Sequence, residues 1–235
     1  KFVGLKNYLR VFSDPTFMHA LWFTALFTIV SVLTINVFAF VIAMLLTKGI
    51  KGTNFFRTVF FMPNLIGGIV LGYIWQILLN GILGHFGRTL TYSSSYGFWG
   101  LIILMNWQQV GYMMIIYIAG IQNIPGELIE AAKMDGASDW QLLKSVTIPM
   151  VMPSITICTF LTLTNSFKLF DQNLALTAGE PSNNSQMLAL NIFDTFYGRN
   201  GWEGVGQAKA VLFFVLVVAI SMIQLHMTRS KEVQQ

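Results

Sequence analysis

Six polar side chains stand inside stretches that are otherwise apolar: Asn64, then Asn106, Gln108 and Tyr112 in NWQQVGY, then Asn165 and Ser166 in TNSFKLFD. Amides and hydroxyls of this kind exchange hydrogen bonds with a hydroxylated solute, and aromatic rings stack against its C–H faces. At mid-membrane depth such groups are costly unless they face a cavity or one another. Hydrogen bonds that pack helix against helix account for Asn64, Asn106, Gln108, Asn165 and Ser166 equally well, and Trp107 also reads as a structural anchor. Bond-breaking chemistry finds no constellation. The sequence has no Gly-Lys dipeptide, so it offers no loop to cradle nucleotide phosphates. It has no Ser/His/Asp set and no positioned carboxylate pair. His19, His85 and His226 are too dispersed to form a ligand cluster, and the single Cys158 excludes an intrachain disulfide. No catalytic residue, metal ligand or cofactor of its own is expected.

A different kind of signal lies in EAAKMDGASDWQLLKSVTIP, residues 130–149. Upstream, Asn123 is placed to cap a helix, Pro125 suits its first turn, and Glu127 complements the positive end of the helix dipole. Leu128, Ile129, Ala131 and Ala132 continue an amphipathic helix. Gly136 ends it, because a left-handed residue is cheap only for glycine. Ser138 and Gln141 have capping-box spacing and restart a second helix through Trp140, Leu142 and Leu143. The segment therefore predicts helix, glycine turn, helix. An amphipathic hairpin lying on headgroups would carry a cationic polar face. Here acids outnumber bases and the small pair Ala131–Ala132 follows Glu130, which fits a docking element for another protein.

The elements that position these residues follow from composition. Of 235 residues, 54% are hydrophobic and 10% charged, with mean hydropathy +0.63; soluble domains carry roughly 25% charged residues. The net charge of +4 is scattered, which excludes a nucleic-acid stripe. Apolar runs at about 17–46, 58–79, 98–121, 148–167 and 207–227 are each long enough to cross a bilayer. They lack period-2 alternation, so they read as helices and not as barrel strands. The fold class is an all-α polytopic membrane bundle, a single transmembrane domain over 1–235. Its loops at 123–147 and 168–206 lie on opposite sides. Basic residues tie: Lys48, Lys51, Arg57, Lys133, Lys144, Arg229 and Lys231 on one side, Lys1, Lys6, Arg10, Arg88, Lys168, Arg199 and Lys209 on the other. The short basic loop 47–57 weakly favours the first side as cytoplasmic. Pro63, flanked by apolar sequence, predicts a kink in a cavity-lining helix. Pro149 and Pro153 mark a helix start or a joint, and Gly68-Ile-Val-Leu-Gly72 predicts close helix packing.

Glu130-Ala131-Ala132, Gly136 and Pro149 resemble the EAA loop of ABC-importer permeases, with Val146 and Ile148 as conservative departures from its terminal I-x-L-P. FVGLKNYLRVFSDPTF at 2–17, FFRTVFFMP at 55–63 and LTAGEP at 176–181 are similar to stretches of the carbohydrate, maltose-type branch, although Glu180 replaces a glycine. The resemblance covers nearly the whole chain. It implies the type I importer fold in a bacterial or archaeal cytoplasmic membrane, with a first core span ahead of this sequence. It implies a cytoplasmic coupling loop carried by Glu130, Ala131, Ala132, Asp135, Gly136 and Pro149, and an extracytoplasmic 168–206. It implies as partners a second permease subunit, two ATPase subunits that bind ATP and magnesium, an extracytoplasmic solute-binding protein and a sugar. Tyr112 best matches that branch's substrate-lining positions. An ABC permease for another solute such as glycerol phosphate stands as the alternative. An anionic solute would favour cations in the cavity, and the spans show only terminal Lys168 and Lys209. A proton-coupled carrier would need ionisable residues within the membrane, which the interiors of the first four runs lack.

Overall fold

The computed structural model describes residues 3–229. Lys1, Phe2 and Lys231, which enter the charge count and the first motif above, lie outside the described residues. Among the described residues every regular element is helical. Helix α1 (Lys6–Phe12) leads through Asp14 into α2 (Pro15–Leu46). Asp14 Oδ1 accepts the Thr16 N–H at 3.0 Å and the Thr16 hydroxyl at 2.8 Å, satisfying a donor that the helix start leaves without an internal partner. There follow α3 (Thr53–Phe61), a 3₁₀ turn (Met62–Leu65), α4 (Gly68–Gly84) and α5 (Ser94–Gln122). Beyond them come α6 (Gly126–Met134), α7 (Asp139–Leu142), a π turn (Leu143–Thr147), α8 (Ile148–Met150) and α9 (Met152–Phe167). The chain closes with α10 (Asp171–Leu176), α11 (Leu188–Gly198) and α12 (Glu203–Arg229).

Helices α2, α5 and α12 are long and apolar enough to cross a membrane singly. The stretch read as one run over 58–79 is two helices bent by 102° across residues 62–67. Buried Pro63 lacks the donor that would continue α3, and the chain tightens into a 3₁₀ turn before restarting at Gly68. The run at 148–167 is likewise broken: Asp139–Met150 and Met152–Phe167 meet at 68° about Val151. Counting each bent pair as one span gives up to five.

The chain divides into two compact units. One gathers the chain up to Ser31 with Ile66–Asn106 and Leu163–Ile220; the other gathers Val32–Leu65, Trp107–Thr162 and the chain from Ser221. In the first, Val11, Phe17, Ala20, Leu188, Val205 and Ala208 form a buried apolar cluster where α1, α2, α11 and α12 meet. Gly68 and Gly72 seat α4 on α10: added Cβ atoms would lie 2.7 Å from Asp171 Cβ and 2.6 Å from Ala175 Cβ. This is the close packing that the GxxxG spacing predicts.

In the second unit α3 crosses α5 at Gly111, where a Cβ would lie 1.8 Å from the Phe60 carbonyl oxygen. Tyr117 there donates to Asn36 Oδ1 at 2.7 Å and packs edge-on against Phe40. Gly111→Ala must push backbone away from backbone, whereas a Cβ at Gly120 meets side chains, Ser154 Oγ at 2.2 Å and Val151 Cγ1 at 3.4 Å. Gly111→Ala is therefore expected to cost at least the ~1–3 kcal/mol of an overpacked core. Thermal unfolding in detergent should show a larger loss for Gly111→Ala than for Gly120→Ala, and equal losses would contradict the crossing.

Candidate functional site

The 123–147 segment is built as its residue spacing predicts, with one correction. Pro125 itself occupies the N-cap of α6 and no side chain caps that end, so Asn123 does not play the capping role. Pro125's preset φ turns the backbone there, and its own carbonyl accepts the Leu128 N–H at 3.2 Å. At the other end, Gly136 N–H reaches Lys133 O and Ala137 N–H reaches Ala132 O, both at 3.0 Å, with Gly136 at φ +80°. That is a Schellman closure, and the left-handed residue is the glycine. Ser138 and Gln141 then complete a reciprocal capping box, Ser138 N–H donating to Gln141 Oε1 at 2.8 Å. Glu130, Ala131, Asp135 and Gly136 are exposed and Ala132 is half-buried. Met134 and Trp140 are 88% and 69% exposed on the same short element. A cleft of about 250 Å³ lies between its two helices, lined by Ala132, Asp135, Gly136, Gln141, Leu142 and Val146. A rigid, water-facing hairpin with large apolar residues outward can seat in another protein. Half-buried Pro149 follows the π turn, two residues before the 68° bend.

The polar residues of the apolar runs divide between the units. Asn64, Gln108 and Tyr112 belong to the second. The Gly111 crossing puts Tyr112 beside the end of α3, its ring 6.4 Å from that of Phe61, and the turn carrying half-buried Asn64 follows directly. Gln108 is buried. Asn106, Asn165 and Ser166 belong to the first unit. Asn106 Nδ2 donates to Ile102 O at 2.8 Å, within its own helix. Asn165 is half-buried, and the Ser166 hydroxyl is fully buried with no hydrogen-bond partner among the described residues. Gly111 was not singled out from NWQQVGY; a glycine beside a polar cluster is its only sequence trace.

A second functional group is also absent from the sequence reading. Lys209, counted there as a terminal cation, is fully buried. Its ammonium donates to Asp14 Oδ2 at 2.8 Å, Asn191 Oδ1 at 2.8 Å and Thr195 Oγ1 at 2.7 Å. All three ammonium protons are used. Arg199 lies 3.8 Å from the same Asp14 oxygen. Asn191 passes a hydrogen bond on to Gln186 Oε1 at 2.8 Å, and Gln186 Nε2 donates to Asp194 Oδ2 at 2.5 Å. Burial pushes the Asp14 carboxyl up, but the bonds from Lys209 and Thr16 outweigh it and hold it below its ordinary 3.8. Burial raises the Asp194 carboxyl, against the opposing pull of Gln186 and Arg199. A lysine within an apolar helix calls for a carboxylate, but residue order does not say which: Glu203 opens the same helix, and the partner is Asp14, 195 residues away.

Residues 11–232 match the family described as "Binding-protein-dependent transport system inner membrane component". The chain is 45% identical over 242 residues to the "Probable starch degradation products transport system permease protein AmyD" of Thermoanaerobacterium thermosulfurigenes, covering 99% of this chain and 82% of that protein. It is 31% identical over 241 residues to the "Multiple sugar-binding transport system permease protein MsmF" of Streptococcus mutans, covering 99% and 83%. Its fold matches a chain of a solved bacterial ABC transporter involved in import of the acidic polysaccharide alginate, with TM-score 0.83 and 19% identity over 97% of this chain and 84% of that one.

Removing one partner of the buried pair leaves a charge stranded. Lys209→Met should cost about 3–5 kcal/mol, and Asp14→Asn together with Lys209→Met should recover part of that loss. Because Asp14 titrates lower folded than unfolded, its contribution is present above its ordinary 3.8 and is lost as pH falls through the folded value. Unfolding followed against pH should show this acid limb in the wild type and lose it in Asp14→Asn. An unchanged limb would remove Asp14 as its source.

Proposed function

We propose, since the chain belongs to the inner-membrane components of binding-protein-dependent transport systems, that it is the membrane-spanning subunit of an ATP-driven importer for a sugar or oligosaccharide. An extracytoplasmic binding protein delivers the solute, a reading supported by the description of the family as binding-protein-dependent and by the solute-bound periplasmic protein in a solved alginate importer complex. ATP and magnesium belong to two ATPase subunits, and a second permease subunit completes the pathway. The chain supplies motion and a route, and no ATPase site of its own.

The observation that carries this reading is the exposed hairpin Gly126–Leu142, closed at its internal ends by the Gly136 backbone turn and the Ser138–Gln141 capping box and bearing outward Met134 and Trp140. Such an element transmits force because its turn is held by its own hydrogen bonds. Displacing it acts on the π turn and on the bend at Val151, where the helical ladder is already interrupted and rotation is cheapest. ATP-driven closure of the ATPase pair then biases the membrane helices between inward-open and outward-open arrangements. Of the two cations at span ends, Lys209 is neutralised by Asp14 and Lys168 is exposed at the end of α9. That favours a neutral sugar over an anionic solute such as glycerol phosphate. Within the second unit Tyr112, Gln108 and Asn64 are the candidate solute-facing groups, and within the first Asn106, Asn165 and Ser166 are.

Glu130→Lys reverses the exposed charge of the docking face, and Gly136→Val forces a branched residue into a left-handed conformation costing about 1–2 kcal/mol. Both are expected to abolish uptake while the protein still inserts in the membrane, and Gly136→Asn to retain part of it, since Asn tolerates that conformation. Uptake in proteoliposomes with copurification of the ATPase subunits measures this. Normal uptake and association in both variants would remove the hairpin as the coupling element. A sugar panel offered to the cognate binding protein identifies the solute.

A further inference from the structure

Helix α11 buries polar Asn191 and Thr195, both on Lys209, beside apolar Leu188 and Leu190. Phe193, Phe196 and Tyr197 have i, i+3, i+4 spacing; Phe193 and Tyr197 face outward, and Phe196 is half-buried where it meets Gly206. Phe193 and Tyr197 are 41% and 71% exposed. The rings form a continuous ladder, Phe170 to Phe193 at 5.1 Å, Phe193 to Tyr197 at 4.8 Å and Tyr197 to Phe196 at 4.7 Å. Together with Ile192 and the exposed Gln207 they line a cleft of about 400 Å³, a volume typical of small-molecule sites.

Lipid accounts for exposed apolar side chains elsewhere on the spans, such as Trp22 and Phe214; here the rings instead line a cleft together with the polar Gln207. Two features select the occupant. First, Phe170 comes three residues after α9, the helix that carries Asn165 and Ser166, so the ladder continues from the polar end of the proposed solute route. Second, flat rings bordered by the Tyr197 hydroxyl and the Gln207 amide match a molecule with apolar C–H faces and hydroxyl edges. We propose that this aromatic face is a carbohydrate subsite, where a sugar stacks on Phe193 and Tyr197 on its way between the binding protein and the Asn165–Ser166 end of the route. The proposal rests on the importer reading above and adds a site to it. The buried Lys209–Asp14 pair holds α11 in place beneath the rings, so the stacking surface is preformed.

The test uses the assembled importer in lipid nanodiscs, with Tyr197→Trp as a fluorescent reporter, and maltotriose and trehalose as probes. Whichever sugar the wild type imports should change the tryptophan emission saturably without the binding protein, while glycerol should not. Adding Phe193→Ala should raise the half-saturating concentration about tenfold, the scale of one aromatic contact. In proteoliposomes, Phe193→Ala with Tyr197→Ala should lower uptake by a similar factor and leave ATP hydrolysis stimulated by the loaded binding protein unchanged. Phe193→Tyr with Tyr197→Phe should restore uptake. Absence of a saturable signal, or unchanged uptake in the alanine pair, overturns the subsite and leaves the rings as a membrane-interface belt. Lost stimulation of ATP hydrolysis would make the face a binding-protein dock, and lost copurification of the second permease would make it a subunit interface; either also overturns it. Where the wild type imports neither, the sugar that the panel on the binding protein identifies replaces them as the probe; if the panel identifies no sugar, the carbohydrate reading fails, and the subsite with it.

Discussion

A backbone carbonyl or amide left without a partner in lipid costs several kcal/mol, and that constraint organises this molecule. It makes the apolar runs helical and confines irregular backbone to a few places. Those places are the 3₁₀ turn after Pro63, the π turn before Pro149 and the bend at Val151. Each interrupts the helical ladder next to a feature that the transport reading needs. Asn64 sits in the first, and the joint below the exposed hairpin is formed by the other two. Helices can bend here because the interruption already exists; elsewhere a bend would have to break hydrogen bonds.

Around these joints, rigidity comes from two kinds of contact. In the second unit it is steric: Gly111 lets α3 and α5 touch backbone to backbone, and Tyr117 ties Asn36 to the same helix. In the first unit it is electrostatic. Lys209 gathers Asp14 from the start of α2 and Asn191 and Thr195 from α11, with all its protons used. A buried ion pair contributes little net stability compared with an apolar replacement, yet breaking it is costly. Its value here is geometric, because it ties α11 and α12 to the start of α2. In that arrangement Phe193 and Tyr197 of α11 face outward.

The hairpin at 126–142 works on a third principle. It has few buried residues, so its shape is held locally by caps at Gly136 and Ser138 instead of by a core. Local capping makes it a stiff part that does not depend on the membrane helices for its form. A stiff part joined to the spans through weakened turns can move as one body.

Local chemistry was therefore legible without coordinates. The lipid-facing helical class, the helix–glycine–helix of the polar segment, its capping box, the break at Pro63 and the packing of Gly68 and Gly72 all depend on neighbours within a few residues, and sequence spacing carries that information. The end of α6 was misplaced only slightly, at Asn123 against Pro125, because cap identity depends on a backbone turn that spacing does not record. Tertiary structure alone decided the rest. Lys209 and Asp14 lie 195 residues apart, and no local pattern distinguishes a lysine that faces water from one that ends on a distant carboxylate. The crossing at Gly111, the placement of Tyr112 beside Phe61 and the outward turn of Phe193 and Tyr197 are likewise set by contacts far apart in the chain. Short-range hydrogen bonding is written in residue order; which charges and rings meet is fixed only when the helices close on one another.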